Sequence, residues 1–156
     1  MKPNEQLVDA VRKLDIEATQ KAILNGADVN YIVPENAKKT LELNVPVLIV
    51  AIEGDMGVES FSKENKPEII KALLEAGANP NVRNYEKETT LMLTWNSYSL
   101  AKLLLEYGAN PNLRGNDNIS TIGFIGNRIE GLENFGRNSD EARSVYRILK
   151  EYGAQH

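Results

Sequence analysis

At 156 residues with 42% hydrophobic side chains, the chain can bury roughly 70% of its unfolded surface, so a stable core requires neither crosslink nor cofactor. The absence of cysteine excludes disulfides, thiolate metal sites and cysteine nucleophiles. Acidic side chains outnumber basic ones by 22 to 18, and the net charge of −4 opposes non-specific attachment to phosphate backbones, which removes nucleic acid from the candidate partners.

The N-terminus, Met-Lys-Pro-Asn-Glu, meets charge at once and lacks the apolar core of a signal peptide. No later run approaches the roughly 18 apolar residues of a membrane span. A cytoplasmic protein without membrane association is the expectation. Helical periodicity first places helices over Gln6 to Lys13 and Ile16 to Leu24, with Glu5, Asp9, Arg12, Lys13 and Gln20 forming the polar outer face of a first unit. Gly26 stops the second helix, and a connection with several extra residues follows around 31–44. Helical periodicity returns with Val45 to Ala51 and with Ile69, Ile70, Leu73 and Leu74, which end at Gly77. Between these two lies a long turn around 54–64. After a polar, turn-rich stretch over 81–88, Thr89 to Trp95 and Leu100 to Leu104 flank a very short turn at Asn96 and Ser97. A second such stretch over 112–119 leads to Ser120 to Gly126, a long turn over 129–140 and a last helix ending at Gly153, solvated by Arg143, Arg147 and Lys150.

These segments repeat. Leu-Leu-Glu-Ala-Gly-Ala-Asn-Pro-Asn over Leu73 to Asn81 returns as Leu-Leu-Glu-Tyr-Gly-Ala-Asn-Pro-Asn over Leu104 to Asn112, with weaker echoes over 23–30 and 149–156. Recurrence of this kind marks stacked copies of one small unit, each burying its apolar face against its neighbours. The glycines at 26, 77, 108 and 153 are read as left-handed residues just past a helix end, a conformation that glycine adopts without a Cβ clash. Asparagine before Pro80 and Pro111 is pushed towards extended geometry, so the chain leaves each helix in a hairpin-like connection.

A Leu-Leu helix closed by Gly-Ala-Asn-Pro-Asn or Gly-Ala-Asp-Val-Asn and followed by a Thr-Pro-Leu-like helix start resembles the ankyrin repeat family, over nearly the whole chain. The motif Thr-Pro-Leu-His-x-Ala-Ala is matched loosely by 45–51, 89–95 and 120–126, without its histidine, which in the family ties neighbouring loops together. The resemblance implies an all-α, ankyrin-like solenoid of four helix-turn-helix repeats with hairpin-like connecting loops, in a single domain with units at about 4–30, 41–81, 85–112 and 116–156. The family period is about 33 residues. The glycine spacing departs from it, with a compact third unit between neighbours that carry long inter-helix turns.

The apolar residues Met56, Val58 and Phe61 in one long turn, and Ile129, Leu132 and Phe135 in the other, are expected to fold over the third unit as a lid, the second group as a short helix. An apolar second binding edge is the alternative. Trp95, where the family carries a small alanine, is expected to be buried.

Little in the chain supports catalysis. Its only histidine is the final residue, His156, and no carboxylate pair stands in a motif. The glycines around 54–57 and 115–118 lack the lysine and helix of a phosphate cradle. No cofactor or metal is expected. Ankyrin arrays bind other proteins through hairpin tips and first helices, and the residues at the matching places here are Glu42, Tyr85, Glu86, Glu88, Asn116, Asp117 and Ile119. Tyr85 and Ile119 are the candidate anchors, and Glu42, Glu86, Glu88 and Asp117 give the edge an acidic character suited to a basic partner. The expected function is therefore a monomeric, non-catalytic protein-binding module, of inhibitor or immunity type. A scaffold joining two proteins is the first alternative, and a small-molecule or metal-dependent enzyme the second.

Overall fold

A computed structural model describes residues 1–34, 44–54 and 65–156. The chain divides into two compact units, Met1–Tyr85 and Glu86–His156, which are mostly helical: eight α-helices and one two-stranded ribbon occur among the described residues.

In the first unit, α1 (Pro3–Arg12) opens on a proline whose missing N–H would have had no helical partner there. Glu5 reaches back to accept from the Lys2 backbone N–H at 3.0 Å. The buried stripe is Leu7, Val8, Ala10 and Val11, at the three- and four-residue spacing of one helix face. Helix α2 (Ile16–Leu24) is capped by Asp15, which accepts from the Ala18 N–H at 2.9 Å. Two short strands follow, β1 (Ile32–Val33) and β2 (Val45–Pro46), antiparallel with Ile32 opposite Pro46 and Val33 opposite Val45. They stand at the two ends of the connection expected to carry extra residues around 31–44, of which 35–43 lie outside the described residues, and the second delivers the chain to α3 (Val47–Glu53). That helix buries every residue from Val47 to Ile52. By local preference Val-Leu-Ile-Val-Ala-Ile suits a strand. Packing against α1 and α4 (Lys66–Glu75) overrides that preference.

The second unit repeats the arrangement with a shorter first helix. Thr89 caps α5 (Thr90–Leu93) by accepting from the Met92 N–H at 3.2 Å. The Thr94 hydroxyl donates back to the Thr90 carbonyl at 3.1 Å just past its end. Helix α6 (Tyr98–Glu106) takes its N-terminal anion from elsewhere, since Glu141 accepts from the Tyr98 N–H at 2.9 Å. A loop bridged between Arg114 and Ser120 leads into α7 (Thr121–Asn134), which Ser120 caps through the Gly123 N–H at 3.1 Å. Helix α8 (Asp140–Glu151) completes the unit, with α5 packed on α7 and α6 on α8. The Thr121 hydroxyl donates to the Leu113 carbonyl at 3.0 Å, tying loop to helix where the motif's histidine is missing.

The four tail glycines have φ of +86° at Gly26, +96° at Gly77, +91° at Gly108 and +85° at Gly153, as expected of left-handed caps. Each is followed by an alanine whose N–H returns to the carbonyl five residues back: Ala27 to Ala22, Ala78 to Leu73, Ala109 to Leu104 and Ala154 to Leu149. These bonds, with those from each glycine N–H three residues back, are Schellman motifs. Ala78, Ala109 and Ala154 are buried, which explains why alanine follows the glycine in the repeated string.

Over 129–140 the expected short helix is present at Ile129 and Leu132, but as the continuation of α7 rather than as a separate element in a long turn. Ile122, Ile125, Ile129 and Leu132 keep one unbroken three-and-four spacing, so α7 runs on to Asn134 and closes in a Schellman motif of its own, Arg137 N–H to Leu132 carbonyl at 2.8 Å. Phe135, at the end of that helix, is 82% exposed. This segment therefore makes no buried lid. Met56, Val58 and Phe61 lie outside the described residues.

Candidate protein-binding groove

Two loops of the second unit converge in front of α5 and α7. One carries Glu86, Lys87 and Glu88 into α5, and the other carries Gly115 to Ile119 into α7. Both turn through left-handed residues, Lys87 at φ +63° and Asp117 and Asn118 at +50° and +58°. Gly115 permits the close approach: a Cβ there would lie 2.9 Å from Met92 Sδ and 3.4 Å from the Lys87 carbonyl oxygen.

Between them opens a groove of about 430 Å³, lined by Glu86, Glu88, Met92, Asn116, Asp117, Ile119 and Phe124. Three carboxylates rim an apolar floor of Met92, Ile119 and Phe124. Such a surface can take the charged end of a lysine or arginine at its rim and the aliphatic stem on its floor. Among the described residues, no group of three or more histidine, aspartate or glutamate side chains is arranged to hold a metal ion. No helix among them is long and apolar enough to cross a membrane.

Five of the seven residues chosen from sequence, Glu86, Glu88, Asn116, Asp117 and Ile119, thus line one groove. Tyr85, the last residue of the first unit, is 55% exposed. Glu42 lies outside the described residues. Sequence reasoning missed Met92 and Phe124. Met92 stands where the repeat motif has its histidine, and Phe124 takes the variable position after it, so the loose match over 89–95 and 120–126 held the signal.

Trp95 departs from expectation. Because α5 ends at Leu93, the ring lies past the helix rather than inside a helix pair, and it is half-buried. The Arg128 guanidinium covers it, 5.6 Å from its ring centre and 5.0 Å from that of Phe124.

The ankyrin repeat family model matches residues 48–85, which begin in α3, take in α4 with its Gly77 tail and end at Tyr85. The chain carries an ankyrin repeat. No curated protein sequence matches it. Ankyrin repeats mediate binding to other proteins, and the repeated helix pairs and capped tails seen here outside 48–85 extend the same fold.

Proposed function

We propose that this ankyrin-repeat chain is a cytoplasmic, non-catalytic protein-binding module whose groove at Glu86, Glu88 and Asp117 receives a basic side chain of a partner protein. The observation that carries this reading is the groove itself, with three carboxylates around Met92, Ile119 and Phe124. Arg128, stacked on Trp95 and Phe124, adds planar groups suited to contact beside the groove at Phe124. Masking a basic enzyme or toxin, as an inhibitor or immunity-type protein would, fits this charge best.

The test is affinity capture from the native cell followed by mass spectrometry, with Glu86→Lys combined with Glu88→Lys as control. The expected result is a basic protein held in a 1:1 complex, lost in the control and weakened by salt. A partner held equally by both forms would refute the groove's role, and two partners held at once would favour a scaffold.

A further inference from the structure

A second groove, of about 520 Å³, opens on the same unit between α7 and α8, lined by Gly126, Ile129, Arg143, Tyr146, Arg147 and Lys150. Its floor is apolar, made by Ile129 and the Tyr146 ring, and its rim is cationic. Positions 143, 147 and 150 share one face of α8 by helical spacing. Arg143 is already engaged by Glu133. Arg147 and Lys150 have no ion-pair partner among the described residues. Arg147 also borders a depression containing Glu141 and Glu151, yet forms an ion pair with neither.

The two grooves draw on different sides of α7. Phe124 lines the acidic one and Gly126 the basic one. Two residues along a helix of 3.6 per turn is a rotation of about 200°. The acidic rim of a chain therefore cannot reach the basic groove of its own unit. A second copy can bring it there.

We infer that the basic groove seats the acidic hairpin rim of a second copy of this chain, Glu86, Glu88 and Asp117 of one copy meeting Arg147 and Lys150 of the next. The contact joins two different patches, so it is head to tail and leaves a free groove at each end of the pair. Each copy carries a net charge of −4, which opposes approach. Association therefore depends on local complementarity and is weak and salt-sensitive. In place of the monomer expected from sequence, the chain is in concentration-dependent self-association. That this association covers the partner groove rests on the proposed function; the contact itself does not.

Sedimentation equilibrium of the full chain tests it, at ~0.05 M and ~1 M salt. The expected mass rises above the single-chain 17.4 kDa with concentration at low salt and returns to it at high salt. Glu86→Lys with Glu88→Lys, and separately Arg147→Glu with Lys150→Glu, each stay at the single-chain mass, and mixing the two variants restores association. All four are surface side chains, and circular dichroism checks that each variant keeps its helices. The milder Arg147→Gln with Lys150→Gln weakens association by about tenfold. A native chain that stays at single-chain mass at every concentration overturns the inference, as does association surviving either charge reversal, or folded variants that fail to associate on mixing. A partner still captured by a chain that never self-associates removes this inference and leaves the proposed function standing.

Discussion

Asn112 binds the tail that follows it in the second unit at two points: its Nδ2 donates to the Gly153 carbonyl at 3.1 Å, and its Oδ1 accepts from the Gln155 N–H at 2.8 Å. Asn30 does the same in the first unit, donating to the Gly77 carbonyl at 3.1 Å and accepting from the Asn79 N–H at 2.8 Å. The last letter of the repeated string is thus a clip on the next copy. Only an amide side chain offers a donor and an acceptor side by side for a backbone carbonyl and N–H two residues apart. In the first unit Asn4 plays a related part at the first tail, accepting from the Asp28 N–H at 2.8 Å.

Removing a clip should therefore loosen the joint between helix pairs. Asn112→Ala loses both bonds at exposed sites where water partly replaces them, and the expected loss is about 1–2 kcal/mol. Asn112→Asp does not rescue it, because a carboxylate oxygen then faces the Gly153 carbonyl. Urea unfolding midpoints check both, and equal stability of Asn112→Asp and the native chain would contradict the two-point contact.

The cap glycines allow a cleaner test of backbone conformation. Nothing lies within 4 Å of a Cβ built on Gly77 or Gly108, so substitution there meets no steric obstacle and the whole cost is left-handed strain. Gly108→Val should cost about 1–2 kcal/mol, and Gly108→Asn less, since asparagine tolerates that region. Identical melting of both variants would refute the conformational account.

What the sequence disclosed is what local chemistry decides. Leu-Leu-x-x-Gly-Ala writes both an apolar helix face and its left-handed stop within six residues, and the motif matches beginning at Thr89 and Ser120 mark two helix starts, where the structure adds the hydroxyl caps. The rim residues Glu86, Glu88, Asn116, Asp117 and Ile119 were legible because loops between repeats point outward. Met92 was not, because it meets the groove through the approach of the loop at Gly115, a contact made across more than twenty residues of chain, and Phe124 was not, because it stands at the variable position of the repeat motif. The helix at Ile129 and Leu132 was legible as a short one, but its continuity with the start of α7 was not. The family template placed a turn where Ile129 and Leu132 continue the period of Ile122 and Ile125. Trp95 is half-buried rather than buried because α5 is a single turn ending at Leu93, so no full helix pair encloses the ring.

At the turn between α7 and α8, the Ser139 hydroxyl, donating at 2.7 Å, and then the Arg143 guanidinium hold the Glu133 carboxyl below its ordinary range. A carboxyl whose folded value is lowered contributes stability that is present above its unfolded value, about 4.3, and lost as pH falls through the folded one. NMR titration of Glu133 should show the lowered midpoint, and Ser139→Ala should move it up by removing the hydroxyl that donates to the carboxylate. Glu133→Gln should flatten the acid-side pH dependence of this turn, and an unchanged profile would show that the cluster has no bearing on stability.

Lys87 and Asp117 turn the two groove loops through left-handed φ of +63° and +50°, but with unequal aptitude. Aspartate visits that region readily, whereas lysine has no short polar side chain to bond locally there. Lys87→Gly should stabilise the fold by roughly 0.5 kcal/mol after the entropy cost of glycine, and Asp117→Gly should be close to neutral. Equal shifts in unfolding midpoint for the two would contradict the assignment of strain to Lys87.

The most specific test of the groove's floor joins Gly115 and Met92. Alanine at 115 would bring its Cβ to 2.9 Å from Met92 Sδ and 3.0 Å from its terminal methyl, the flexible end of a side chain that borders the groove, so that end must shift to make room. Because only the end of a flexible side chain has to move, the cost should lie near the low end of overpacking, about 1 kcal/mol. Met92→Ala alone should cost about 2–5 kcal/mol through the cavity it leaves. In the double variant the two penalties overlap, because the new methyl occupies space that the sulfur vacated, and the combined loss should fall below the sum of the single ones. Strict additivity would mean that Gly115 is not required for the approach of its loop to Met92, and the groove would then need another explanation for its shape.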